Sequence, residues 1–445
     1  MVRSPPGPLI AAVAVAVVVL VGVAGVLVLP GRPRLDPPLA SVPATQASTT
    51  VRATQESGTT AVPATISTFP VSITTSAVAR PEGWRPLAAS LLSPRAGHTV
   101  VWTGSEALIW GSADPQGECG QANDGAGYEP VSDSWRPLAA SPKEGGSLLS
   151  VVWTGREMIL WGGLYGFAYC LPGEPAQSAA HDPQTDEWRA LPSPPEGGNV
   201  LSAVWTGEEM IVWGNYVDEG YGVPPYTAQG AAYDPAADRW RLTADLPLPD
   251  RIGYSAVWTG SEMIIWGGSS FRHPAHEQLV TDHPREVAAY DPASDAWRVR
   301  AAAPLPGRSW HASVWTGSEL IVWGGENESG YLGDGAAYDP LTDTWRPISA
   351  APLSGRHSST AVWTGRSMIV WGGSNESGYL NDGAAYDPLT DTWHQLPTAP
   401  LEGRRGHSAV WTGDEMIIWG GNSLGASVPQ FTYFDDGAAY TPPAG

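Results

Sequence analysis

The sequence predicts an all-β fold: a seven-bladed propeller of four-stranded antiparallel blades, its ring closed by the N-terminal strand. A transmembrane helix and a disordered stalk are expected ahead of it. Three observations point there. Val-Trp-Thr-Gly recurs with its Trp at 102, 153, 205, 258, 315, 363 and 411. A second Trp follows eight residues later, at 110, 161, 213, 266, 323, 371 and 419, usually as Trp-Gly-Gly. A third closes Asp-x-Trp at 135, 188, 240, 297, 345 and 393, with Trp84 standing alone at the front. These motifs hold 21 of the 22 Trp residues, so the period of roughly 50 residues governs the whole region.

In chain order, residues 1–30 come first. Leu9 to Leu29 is an uninterrupted apolar stretch, long enough to span a bilayer. It reads as a signal anchor, with a cleaved signal peptide as the alternative. Arg3 before the stretch and Arg32 and Arg34 after it leave its orientation open. Residues 31–80 are rich in Pro, Ser, Thr, Ala and Val and read as a disordered stalk. A stalk carrying a propeller fits the cell surface, so the domain is expected to be extracytoplasmic, or secreted if the leader is cleaved.

Residues 81–445 are the propeller. Within one unit, Val257-Trp258 and Met263-Ile264-Ile265-Trp266 flank Thr-Gly, which marks a hairpin. Met-Ile-Ile-Trp is apolar without alternation, so both faces should be buried. Ala-Ala-Tyr-Asp-Pro then gives a third strand with a tight turn, and Asp-x-Trp a fourth. We label these strands a to d. The seventh unit stops after strand c at Tyr440. Its missing strand is at the other end, where Gly83-Trp84-Arg85-Pro86-Leu87 matches Ser134-Trp135-Arg136-Pro137-Leu138. The first strand should therefore complete the last blade and leave no open edge.

Trp-Gly-Gly, Tyr-Asp-Pro and Asp-x-Trp, in register over residues 84–440, resemble the Kelch repeat in its secreted bacterial variant. The resemblance implies one four-stranded blade per repeat. It also implies a channel mouth at which loop arginines bind acidic ligands. Related propellers include copper radical oxidases and sialic-acid epimerases. The Tyr–Cys cross-link and His ligands of the oxidase cannot be placed on Cys119 or Cys170.

Composition excludes some partners. The formal charge is −21. Residues 1–80 hold five Arg against Asp36 and Glu56, a net +3, so the propeller carries −21 − 3 = −24. That argues against nucleic acid or an anionic membrane surface. The membrane is met through the N-terminal segment only, and the propeller is expected to be a monomer.

Loop lengths locate the variable face. The a–b and c–d turns share one face and have fixed length. The b–c and d–a loops share the other; d–a is 18 residues, or 17 once, while b–c varies from 15 to 24 residues between the strand-b Trp and the strand-c Tyr or His. Variable loops on a rigid scaffold are where binding resides. They carry Tyr216, Tyr221, Tyr226, Phe431 and Tyr433, suited to a glycan or protein ligand. Arg95, Arg251, Arg308, Arg356 and Arg404 each precede a strand-a Trp by seven residues. They are either ligand contacts at the channel mouth or a structural ring paired between blades with Asp124, Asp334, Asp382 or Asp436.

The remaining signals are weaker. His273, His276 and His283 share a long loop with acids but match no zinc pattern, so no metal or cofactor is expected. Gly421-Asn-Ser423-Leu-Gly425 lacks the setting of a nucleophile elbow. Asn327-Glu-Ser329 and Asn375-Glu-Ser377 obey the glycosylation rule but sit in duplicated loops. Cys119 and Cys170 hold equivalent places in adjacent b–c loops and are expected to form a disulfide outside the cell. Such a bond would contribute roughly 4 kcal/mol on the chain-entropy account. The leading functional reading is a binding module, with a carbohydrate-active enzyme and a structural envelope protein as rivals. A buried acid/base pair with shifted pKa values at the mouth would favour the enzyme.

Overall fold

The protein is described from a computed structural model, which covers residues 80–111, 122–142, 150–162, 178–193, 202–213, 230–248, 251–272, 280–424 and 431–443. The expected anchor, most of the stalk and the Cys119–Cys170 bond lie outside these residues. Among the described residues, no helix is long and apolar enough to cross a membrane.

Seven antiparallel sheets each carry four strands in a–b–c–d order, and in blade four Val280–Asp282 pairs with the extended b strand Met263–Arg272 as a fifth. Blade five shows the plan: Ala312–Trp315, Leu320–Trp323, Gly335–Asp339 and Thr344–Pro347. The a strands, from Thr99–Trp102 to Ser408–Trp411, adjoin one another in cyclic order and line the axis. Every b strand is buried on both faces, as its unalternating apolar run requires.

Ring closure occurs as expected. Gly83–Pro86 is the outer strand of blade seven, with Trp84 opposite Tyr440 and Arg85 opposite Ala439. The hydrophobic core is accordingly divided. Seven apolar clusters lie one at each interface between neighbouring blades, including the interface joining blades seven and one.

The tryptophans explain why the repeat is so regular. Each strand-d indole packs on the strand-b indole of the preceding blade, with centroids 4.4–6.1 Å apart, and Trp84 closes the cycle on Trp371. Each strand-d indole also donates to a carbonyl of that preceding blade, as Trp345 does to Ala301 at 3.1 Å and Trp84 to Pro397 at 2.9 Å.

The aspartate two residues earlier completes the latch. Asp343 accepts from the Ala301 N–H at 2.9 Å and from the Tyr338 hydroxyl at 2.7 Å. Its backbone is left-handed, at φ 54°, which Asp tolerates better than most residues. Four further interfaces repeat the backbone-to-Asp and indole-to-carbonyl bonds, through Asp133, Asp186, Asp295 and Asp391 with their tryptophans. Asp-x-Trp is thus a blade-to-blade clasp.

Candidate functional site: the loop face of blades five to seven

On the b–c/d–a face, the five repeat arginines are buried, with 0–3% of each exposed. Arg95, Arg308, Arg356 and Arg404 pair with Asp124, Asp334, Asp382 and Asp436 at 2.6–2.7 Å. Each also donates to the carbonyl of the first glycine after its own strand-b Trp, as Arg251 does to Gly267 at 3.2 Å.

The Arg–Asp pairs therefore run within a blade, not between blades as the structural-ring reading supposed. The blade-to-blade bond is made by the arginine backbone instead. The carbonyls of Arg95, Arg308, Arg356 and Arg404 accept from Gly421, Gly268, Gly325 and Gly373 of the preceding blade. Spacing identified the ring, but which atoms cross the interface is not legible in a spacing.

A histidine three residues after the arginine adds a second staple in three repeats. His98, His311 and His407 stand edge-on to Trp419, Trp266 and Trp371 of the preceding blade, with centroids 4.8–5.1 Å apart. Their Nε2 atoms lie 2.6–2.8 Å from the hydroxyls of Ser408, Ser255 and Thr360. Burial, aided by the adjacent arginine, lowers each pKa to about 3, so the rings are neutral. A buried imidazole beside a serine resembles an acid/base pair. Here it is walled in by tryptophan and out of reach of any substrate, so it packs an interface.

The exposed chemistry lies one residue further along. In blades five to seven the b–c loops fold back as short ladders that pair Glu326 with Tyr331, Ser374 with Tyr379 and Asn422 with Tyr433. Three tyrosines thus stand at equivalent places on successive blades. The residue after the conserved arginine of the next blade packs on the first two. His357 lies 5.2 Å from the Tyr331 ring, and the Arg405 guanidinium lies 5.3 Å above Tyr379.

Arg405 is half-buried, and its Nε is enclosed without an acceptor. Among the described residues no carboxylate forms an ion pair with it. Around it, burial raises Glu326 above the usual carboxylate range, with Arg405 pulling the other way. Burial also raises Tyr331 and Tyr379. His357, 3.6 Å from Glu326, is lowered to about 4 by burial and by Arg405.

Of the other expected residues, Phe431 and Tyr433 lie on the blade-seven ladder, half-buried and 6.5 Å apart. Tyr216, Tyr221, Tyr226, His273 and His276 lie outside the described residues. His283 contacts Glu328 at 3.3 Å, and among the described residues no cluster could hold a metal ion. The two sequon amides donate to the carbonyls of Gly307 and Gly355 at 2.9 Å. Arg405 escaped sequence reasoning because only repeats that carry the arginine have an equivalent position, and there it is variable. The Arg-Arg doublet at 404–405 is the signal that could have found it.

The "KLHDC2/KLHL20/DRC7 Kelch-repeats domain" family matches residues 253–442. Over that stretch the chain is similar to Kelch-repeat domains. The chain is 26% identical to "Kelch-like protein terF" of Aspergillus terreus over 242 residues, 53% of this chain and 50% of that protein. It is 30% identical to a "Kelch domain-containing protein" of Archaeoglobus fulgidus over 134 residues, 29% of this chain and 37% of that one. It is 31% identical to "Kelch-like protein 25" of Xenopus tropicalis over 97 residues, 22% and 15% of the two chains. The chain spans half or less of each of these relatives. The Kelch-matched region includes the three ladders and Arg405.

Proposed function

We propose that the propeller is a protein-interaction module whose ligand docks on the loop face of blades five to seven, presenting an acidic side chain to Arg405. The observation that carries this reading is Arg405 itself: a half-buried cation on an aromatic ring, with no ion-paired carboxylate among the described residues. The rim arginines Arg95, Arg308, Arg356 and Arg404 each have one. A desolvated guanidinium forms stronger, bidentate contacts with a carboxylate than an exposed one does. Kelch propellers generally bind protein partners, which favours a protein over a glycan. The buried arginines stand behind this surface and hold its loops in place.

In this reading the N-terminal segment tethers the propeller to the outside of the cell, and protease shaving of intact cells that spares the domain would oppose that placement. The binding claim is tested by panning a displayed random-peptide library on the full-length protein. Wild type should enrich acidic sequences, and Arg405→Ala should lose them. Arg366→Ala, on the opposite face where Arg366 pairs with Asp387, should keep them. Enrichment that survives Arg405→Ala would overturn the proposed docking site.

A further inference from the structure

We infer that Trp310, the one tryptophan outside the three repeat motifs, is a ligand contact: an indole platform at the channel mouth that stacks on a proline or aromatic side chain of the bound protein. This rests on the protein-binding reading above.

Trp310 occupies the second position after the conserved arginine, where the chain turns left-handed before strand a. The equivalents Gly97, Gly253 and Gly406 are glycines with φ 64–70°, whereas Trp310 has φ 58°. A bulky residue held there strains the backbone by roughly 1–2 kcal/mol.

The geometry serves a collar of backbone bonds between neighbouring blades. The N–H of Trp310 donates to Gly253 at 2.8 Å, that of Ser358 to Trp310 at 2.9 Å and that of Gly97 to Gly406 at 3.0 Å. Glycine makes the same collar bond without strain, so the collar does not explain the indole.

The neighbouring blade is nonetheless shaped to receive the ring. A Cβ on Gly253 would stand 2.9 Å from two of its carbons, so only glycine fits beneath it. Gly253 covers one side of the ring, the side chain stays half-exposed, and among the described residues the indole N–H finds no acceptor. A strained aromatic on a fitted seat, its polar edge without an acceptor among the described residues, is arranged for something outside the chain.

The surroundings favour a peptide ring over a sugar. A sugar needs amide and carboxylate groups free to bond its hydroxyls, yet the Asn327 and Asn375 amides are tied to backbone carbonyls and Glu328 to His283. A flat neutral ring needs only the indole face.

The test compares full-length wild type, Trp310→Gly and Trp310→Phe against the peptides that wild type enriches from the displayed library. Those peptides should carry Pro, Phe, Tyr or Trp at a fixed distance from their acidic residue. Trp310→Gly should weaken them about ten-fold, the loss expected of a Trp anchor, and Trp310→Phe by about three-fold or less. Because glycine suits this backbone, Trp310→Gly should melt no lower than wild type, so weakened binding cannot be laid to misfolding.

Equal affinity for wild type and Trp310→Gly, with binding still lost in Arg405→Ala, would overturn the platform and leave the docking site standing. Enrichment of no peptide by wild type would sink both. Binding of methyl glycosides that Trp310→Gly abolishes would refute the peptide ligand in favour of a carbohydrate.

Discussion

Arg85→Ala probes the claim that the first strand closes the ring. Arg85 donates to both oxygens of Glu415 at 2.8 and 3.2 Å, to the Tyr128 hydroxyl at 3.0 Å and to Asp133 at 3.4 Å. It thereby ties the N-terminal strand to blades seven and one. The Glu415 side chain is fully buried. Removing one partner of a buried ion pair costs about 3–5 kcal/mol. Arg85 is itself a quarter exposed, so the lower end applies, about 3 kcal/mol. Unfolding entropy of about 2.1 cal/mol/K per residue over about 360 residues gives roughly 0.75 kcal/mol/K, hence a fall of about 4 °C in melting temperature. Differential scanning calorimetry should show that fall as a single shifted transition. An unchanged melting temperature for Arg85→Ala, beside a clear fall for the internal equivalent Arg136→Ala, would refute closure by this strand.

Acid should unfold the domain early. His98, His311 and His407 titrate near pH 3 when folded but near 6.5 when unfolded, so the unfolded state takes up their protons first. Their contribution is constant above pH 6.5 and falls as pH drops towards 3, by about 2 kcal/mol per histidine at pH 5. Asp295 and Asp391, lowered by bonds from Tyr290 and Ser349, add a loss below pH 4, while raised Glu326 opposes it. Urea midpoints that do not change between pH 7 and 5 would contradict this. Ser358→Gly should raise stability by about 1 kcal/mol, because Ser358 sits at φ 54° and its collar bond uses only the backbone. A lower urea midpoint would show that the hydroxyl matters more than the strain. Asp343→Ala should lower stability by about 2 kcal/mol, since both the Tyr338 hydroxyl and the Ala301 N–H lose their acceptor. A loss under about 0.5 kcal/mol would show that the clasp is held by the tryptophan alone.

The fold was largely legible because its parts repeat. Each motif Trp has the same job at every interface, so spacing alone carried blade number, strand order and the origin of the closing strand. The site was less legible because it breaks the repeat. Arg404 stood out by its period, yet it is enclosed with Asp436, while its neighbour Arg405 faces the loops. Trp310 passed unnoticed for the same reason, since its meaning depends on a backbone angle and on Gly253 of another blade. Regularity marks what holds the blades together, and departures from it mark where they differ.

Hydrogen exchange of the full-length protein, with and without a peptide enriched by panning, tests the docking surface most directly. The account predicts slowed exchange at 326–331, 374–379, 405–406 and 431–433, with the c–d turns at 129–134 and 339–344 unchanged. Protection concentrated in those turns, or in the loops of blades one to three, would contradict it.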